Sequence, residues 1–80
     1  MDTRQAVVER IMELCSERNI TPNALSYRAA VPQSTIKSIL NDESQNPGVV
    51  TIKKLCDGLG ISLADFFDTE VFRNLEQEIR

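Results

Sequence analysis

The chain is 80 residues long, 41% apolar and 26% charged, with a formal net charge of −3 and a pI near 4.8. That length suits one domain with one small core, because so short a chain buries only about 60–65% of its unfolded surface. No apolar run approaches the ~20 residues that cross a bilayer and no signal-peptide pattern opens the chain, so a soluble, cytoplasmic protein with no membrane partner is expected.

Val7, Val8, Ile11, Leu14 and Cys15 recur at three- and four-residue steps and predict an amphipathic helix over about Thr3 to Arg18, ended by Asn19-Ile20. Thr21-Pro22 signals the next start, with Thr as the cap and Pro at the first helical position, where its missing N–H costs nothing. This second helix runs to about Ala29, with Leu25, Ser26 and Ala29 on one side and Asn23 and Tyr27 on the other. Ala30-Val31-Pro32 breaks it, since proline disfavours helical backbone in the residue before it.

A third helix follows over about Gln33 to Leu40. Ile36, Ile39 and Leu40 form its apolar stripe, and Ser34 and Ser38 oppose them, flanked by Lys37 and Asn41. The polar run from Asn41 to Gly48 is a loop, and Gly48 can cap a fourth helix that turns Val49, Ile52, Leu55, Cys56 and Leu59 inward until Gly60 stops it. Ser62 and Asp65 make a capping box that opens a short fifth helix bearing Phe66 and Phe67. Thr69 caps a last helical segment with Val71, Phe72, Leu75 and Ile79 on one side. No stretch reads as a strand, so the expected class is all-α: a five-helix unit over residues 1–68 and a helical tail over residues 69–80.

Chemistry-bearing residues are sparse. The chain has no histidine and two cysteines, too few soft ligands for a metal site, and no nucleophile–base pair. A non-enzymatic protein with no cofactor and no small-molecule ligand is expected. Cys15 and Cys56 sit among apolar neighbours and are read as small buried hydrophobes rather than as a disulfide. The charge is unevenly spread. Residues 21–54 hold four basic side chains (Arg28, Lys37, Lys53, Lys54) against two acidic ones, whereas residues 55–80 hold two basic against six acidic. A mildly basic centre permits nucleic-acid binding without requiring it.

Two short helices joined by a tight turn, with small residues (Ser26, Ala29, Ala30) where they cross, make a helix-turn-helix. Leu25-Ser26 followed by Ala30-Val31-Pro32-Gln33-Ser34-Thr35-Ile36 resembles the second and third helices of the phage-repressor and Cro family of DNA-binding domains. Asn46 to Ile52, Leu59 to Leu63 and Phe66-Phe67 resemble its fourth and fifth, so the resemblance covers about Val7 to Phe67. The chain departs from the family pattern at Ser26, where Ala is usual, and at Ala30 and near Asp42, where Gly is usual. Either Ala30 accepts a left-handed backbone at about 1 kcal/mol or the turn shifts. Asp42 and Glu43 also put negative charge where the family often has basic residues.

The resemblance implies a sequence-specific regulator of transcription, a repressor, that binds double-stranded DNA with the third helix in the major groove. Gln33, Ser34, Thr35, Lys37 and Ser38 are then the candidates for base contact, through amide, hydroxyl, methyl and ammonium groups suited to base edges. Thr21, Asn23, Tyr27, Asn41, Gln45 and Asn46 are the candidates for phosphate contact. Repressor-type domains usually bind as two-fold dimers. Val71, Phe72, Leu75 and Ile79 are the candidate dimer interface, the alternative being that this segment folds back onto its own core through Phe72. A second reading of the whole chain stays open, supported by the acidic tail: the same fold serving as a protein-interaction module, as in an antitoxin or immunity-type factor.

Overall fold

Asp2 opens α1 (Thr3–Glu17) with a reciprocal cap, its carboxylate accepting from the Gln5 N–H while the Gln5 side chain accepts from the Asp2 N–H. The computed structural model describes residues 1–41 and 46–79. Beyond α1 come α2 (Pro22–Ala29), α3 (Gln33–Leu40), α4 (Val49–Leu59), α5 (Leu63–Phe67) and α6 (Glu70–Arg73), with no strand among the described residues. The all-α class and the predicted starts at Thr21-Pro22, Gly48, Ser62 and Thr69 are all found as expected.

Three of these helices end in the same way. Just past α1, α2 and α4 stand Asn19, Ala30 and Gly60, each left-handed with φ of 53°, 54° and 74°. In each case the N–H of the following residue reaches five residues back: Ile20 to the Cys15 carbonyl, Val31 to Ser26 and Ile61 to Cys56. These are Schellman closures, and each ends on an aliphatic side chain that packs against the core. The turn of the helix-turn-helix is one of them. Ala30 therefore takes the left-handed option rather than a shifted turn, and Val31 directly after it enters the core.

The core gathers Val7, Ile11, Leu14 and Cys15 from α1, Leu25 and Ala29 from α2, Ile36 and Ile39 from α3, Ile52, Leu55, Cys56 and Leu59 from α4, and Phe66 from α5. Each fully buried aliphatic or aromatic side chain here contributes about 1.5–3 kcal/mol. Ser26 is buried among them, and its hydroxyl donates to the Asn23 carbonyl one turn back, so it carries no unmet hydrogen bond.

Two arginines of α1 tie this core to the helix ends opposite. Arg10 donates from Nε to the Phe66 carbonyl at 2.8 Å and from Nη2 to the Asp65 carbonyl at 2.9 Å, and pairs with Glu13. Arg18 donates from Nε to the Leu59 carbonyl at 3.1 Å. Cations thus meet the negative ends of α5 and α4, where the Asp65 carbonyl also accepts from the Asp68 N–H.

Helix α2 lies so close to α4 that a Cβ on Gly58 would stand 3.0 Å from both Cβ and N of Ala29 and 3.1 Å from its Cα. Two opposite substitutions follow. Gly58→Ala gains about 1 kcal/mol of helix propensity but pays an overpacking penalty of about 1–3 kcal/mol against backbone that cannot move freely. A net loss is expected. Ala30→Gly removes a left-handed alanine worth about 1–2 kcal/mol and returns about 0.4–1 kcal/mol as unfolded-state entropy. A net gain is expected. Urea midpoints test both, and reversed signs would contradict the close crossing and the left-handed turn.

The thiols of Cys15 and Cys56 are buried and free. Burial pushes both up from the ordinary value of 9.0, with Arg18 opposing the shift at Cys15 and Lys53 opposing it at Cys56. Because folding favours the neutral thiols, their contribution is complete below pH 9.0 and is lost as pH rises through the higher folded value. Alkylation at pH 8 should be slow until denaturant is added, and Cys56→Ala should cost on the order of 1 kcal/mol. Rapid labelling of the folded protein would contradict this packing.

One expectation about the tail is corrected. Thr69 does cap a helix, its hydroxyl accepting from the Phe72 N–H at 3.5 Å, but that helix stops at Arg73. Leu75 and Ile79 lie beyond it, so they do not continue a helical stripe from Val71 and Phe72. The chain instead runs back along the start of α1, where Glu76 pairs with the Met1 ammonium at 3.6 Å and Glu78 accepts from the Thr3 hydroxyl at 2.8 Å.

Candidate nucleic-acid interface

Ile36 and Ile39 fix how α3 sits, since both are buried and lie on one side of the helix. The other side is consequently turned to water. Gln33, Ser34, Lys37 and Asn41 are exposed, at spacings that form a continuous outer face. Thr35 and Ser38 are half-buried at its margins. Thr35 also uses its N–H on the Pro32 carbonyl at 3.0 Å, closing the first turn. No side chain caps α3, so its leading turn presents backbone donors beside Gln33 and Ser34.

Helix α2 contributes the neighbouring strip. Asn23 and Tyr27 stand one turn apart on its outer face, and Tyr27 is 76% exposed. The Thr21 hydroxyl accepts from the Ala24 N–H at 3.1 Å and the Thr21 carbonyl from the Leu25 N–H at 3.0 Å. Pro22 has no N–H, which leaves that of Asn23 as the outward donor of this turn. The Tyr27 hydroxyl accepts from Gln33 Nε2 at 3.1 Å, joining the outer faces of α2 and α3 across the turn. Asn41 and Asn46 are exposed on either side of residues 42–45, and the expectations at Asp42, Glu43 and Gln45 lie outside the described residues.

The cations are less evenly useful. Arg28, Lys37, Lys53 and Lys54 are all exposed, but Lys53 is paired with Asp57 one turn along α4. The base and phosphate candidates from α2 and α3 thus fall on one surface, opposite the buried isoleucines. The dimer candidates lie on α6 and the segment after it, which runs beside α1. Phe72 is half-buried, with its ring centroid 4.9 Å from Phe67 and 6.1 Å from Phe66; Leu75 is also half-buried; Val71 is 46% and Ile79 80% exposed.

A family model for the Cro/C1-type HTH DNA-binding domain matches residues 10–71. The chain belongs to that family. Among solved structures, this Cro/C1-type domain is similar to the prophage Lp1 protein 11 at 37% identity and a TM-score of 0.82, over 94% of this chain and 100% of that one. The wild-type restriction-modification controller protein C.Esp1396I matches at 21% identity and a TM-score of 0.76, over 94% of this chain and 95% of that one, a likeness of fold alone. Comparison with curated protein sequences gives no significant match. No helix among the described residues is long and apolar enough to cross a membrane.

Sequence reasoning missed the Tyr27–Gln33 bond and the carbonyl contacts of Arg10 and Arg18. Each links residues brought together by a turn or by tertiary packing. For the arginines a signal existed: both lie beside the apolar stripe of α1, where a cation needs a partner.

Proposed function

We propose that this Cro/C1-type domain is a sequence-specific transcriptional regulator acting in the cytoplasm, a repressor that reads the major groove with α3. The observation that carries this reading is the outer face of α3. It offers an amide, hydroxyls and one ammonium, with an uncapped helix start and a buried isoleucine pair that sets its orientation. Gln33 and Ser34 lead the base contacts, Lys37 reaches a guanine or a phosphate, and Thr35 and Ser38 act from the margins. Thr21, Asn23, Asn41 and Asn46 hold the phosphates on both sides, whereas the Tyr27 hydroxyl is turned to Gln33. Repression needs no second domain, since a bound reader lying across a promoter blocks access to it. A two-fold dimer would set two half-sites about 34 Å apart, with the exposed Val71 and Ile79 as contact candidates.

Selection from a pool of random duplexes tests the reading. An enriched motif is expected, with affinity that falls only gently with salt because few cations displace counterions. Absence of enrichment even at low salt would favour the protein-interaction module that the net charge of −3 suggests.

A further inference from the structure

Gln33 is the longest polar side chain at the start of the reading helix, and in this fold its amide is not free. Its Nε2 donates to the Tyr27 hydroxyl at 3.1 Å. A glutamine amide has two N–H donors and one oxygen acceptor, and its terminal torsion is broad, so a solvated one presents several patterns in turn. With one N–H spent on Tyr27, a single N–H and the Oε1 acceptor remain for a ligand.

We propose that Tyr27 is a positioning residue for Gln33, holding its amide as one donor beside one acceptor so that it selects adenine over guanine. This rests on the DNA-reading function above. Adenine offers the major groove an N7 acceptor beside an N6 donor, which the held amide meets at both atoms. Guanine offers N7 and O6, two acceptors. A free amide swings its NH2 group between them, but a held one has one N–H left and sets Oε1 against O6. The bond comes from α2, which lies outside the reading helix, and so makes base choice depend on how the two helices are held. Tyr27 is exposed and anchors no core contact, so removing its hydroxyl leaves the fold intact.

The test uses the full chain and the duplex enriched by selection, with each base pair facing Gln33 varied in turn. Tyr27→Phe should reduce adenine-over-guanine discrimination at one base pair by about fivefold or more, a part of what a bidentate contact supplies. Its affinity for unrelated duplexes should change by less than about twofold, since the phosphate contacts remain. In a Gln33→Ala background the same change should have no further effect on discrimination. In the free protein, NMR should show one Gln33 side-chain N–H protected from exchange, and that protection should vanish in Tyr27→Phe. Uniform weakening on every sequence would assign Tyr27 to a phosphate and overturn the inference, as would unchanged discrimination. A wild-type chain with no sequence preference would remove the proposed function itself, and this inference with it, whereas a preference that Tyr27→Phe leaves intact removes the inference alone.

Discussion

Phe66→Ala should lower the unfolding free energy by about 3–5 kcal/mol, the largest loss expected from any substitution considered. A domain of this size is stable by only about 4–12 kcal/mol, so the variant would lose a large share of that margin. The reason lies in where the ring sits. Phe66 is fully buried between the core and the rings of Phe67 and Phe72, and its carbonyl accepts from Arg10. Phe72→Ala should cost about half as much, in proportion to its partial burial. Removing residues 69–80 takes away that ring together with the Glu76 and Glu78 contacts to the start of α1, and should lower the melting temperature correspondingly. Chemical denaturation of the three variants checks this. If Phe72→Ala proves no more costly than Val71→Ala while the shortened chain loses self-association, the tail serves a dimer rather than its own core.

Gln33→Ala should weaken binding to the preferred duplex by about 1–3 kcal/mol and relax preference at one base pair. The folded protein should be unaffected, because Gln33 is exposed and its amide bonds to an exposed tyrosine. Lys37→Ala differs in kind if its ammonium meets phosphate: it should weaken all duplexes alike and flatten the salt dependence. Binding curves on the preferred duplex and on single-base variants separate the two patterns. Equal weakening on every sequence by Gln33→Ala would remove it from the reading surface.

The helices were legible because their signals are local. Thr21-Pro22 and Ser62 with Asp65 are complete start signals within four residues, and of the α4 pattern Ile52, Leu55, Cys56 and Leu59 are buried while Val49, expected to turn inward, is 64% exposed. The left-handed turn at Ala30 was visible only as an alternative, since nothing in Ala30-Val31-Pro32 alone says that Val31 must enter the core. The helical stripe from Val71 to Ile79 misled because periodicity was satisfied while propagation was not. A four-residue helix has little cooperativity to extend, and the acidic side chains beyond Arg73 find partners at the start of α1. Gly58 gives no sign of its importance in the sequence, because that importance lies in the backbone of Ala29 across the crossing. The outer face of α3 followed from the spacing of Ile36 and Ile39, whereas the state of the Gln33 amide depended on Tyr27, a residue six positions away on another helix.

On the proposed function, α3 enters the major groove and its outer face reads bases. This is tested most directly by following backbone and side-chain NMR signals of the full chain as the selected duplex is added. The largest shifts are expected at Gln33, Ser34, Lys37 and Ser38, with smaller ones at Asn23, Tyr27 and Asn41, and little change in α1 or α6. Shifts confined to α1, α6 or the tail, with α3 undisturbed, would contradict the account.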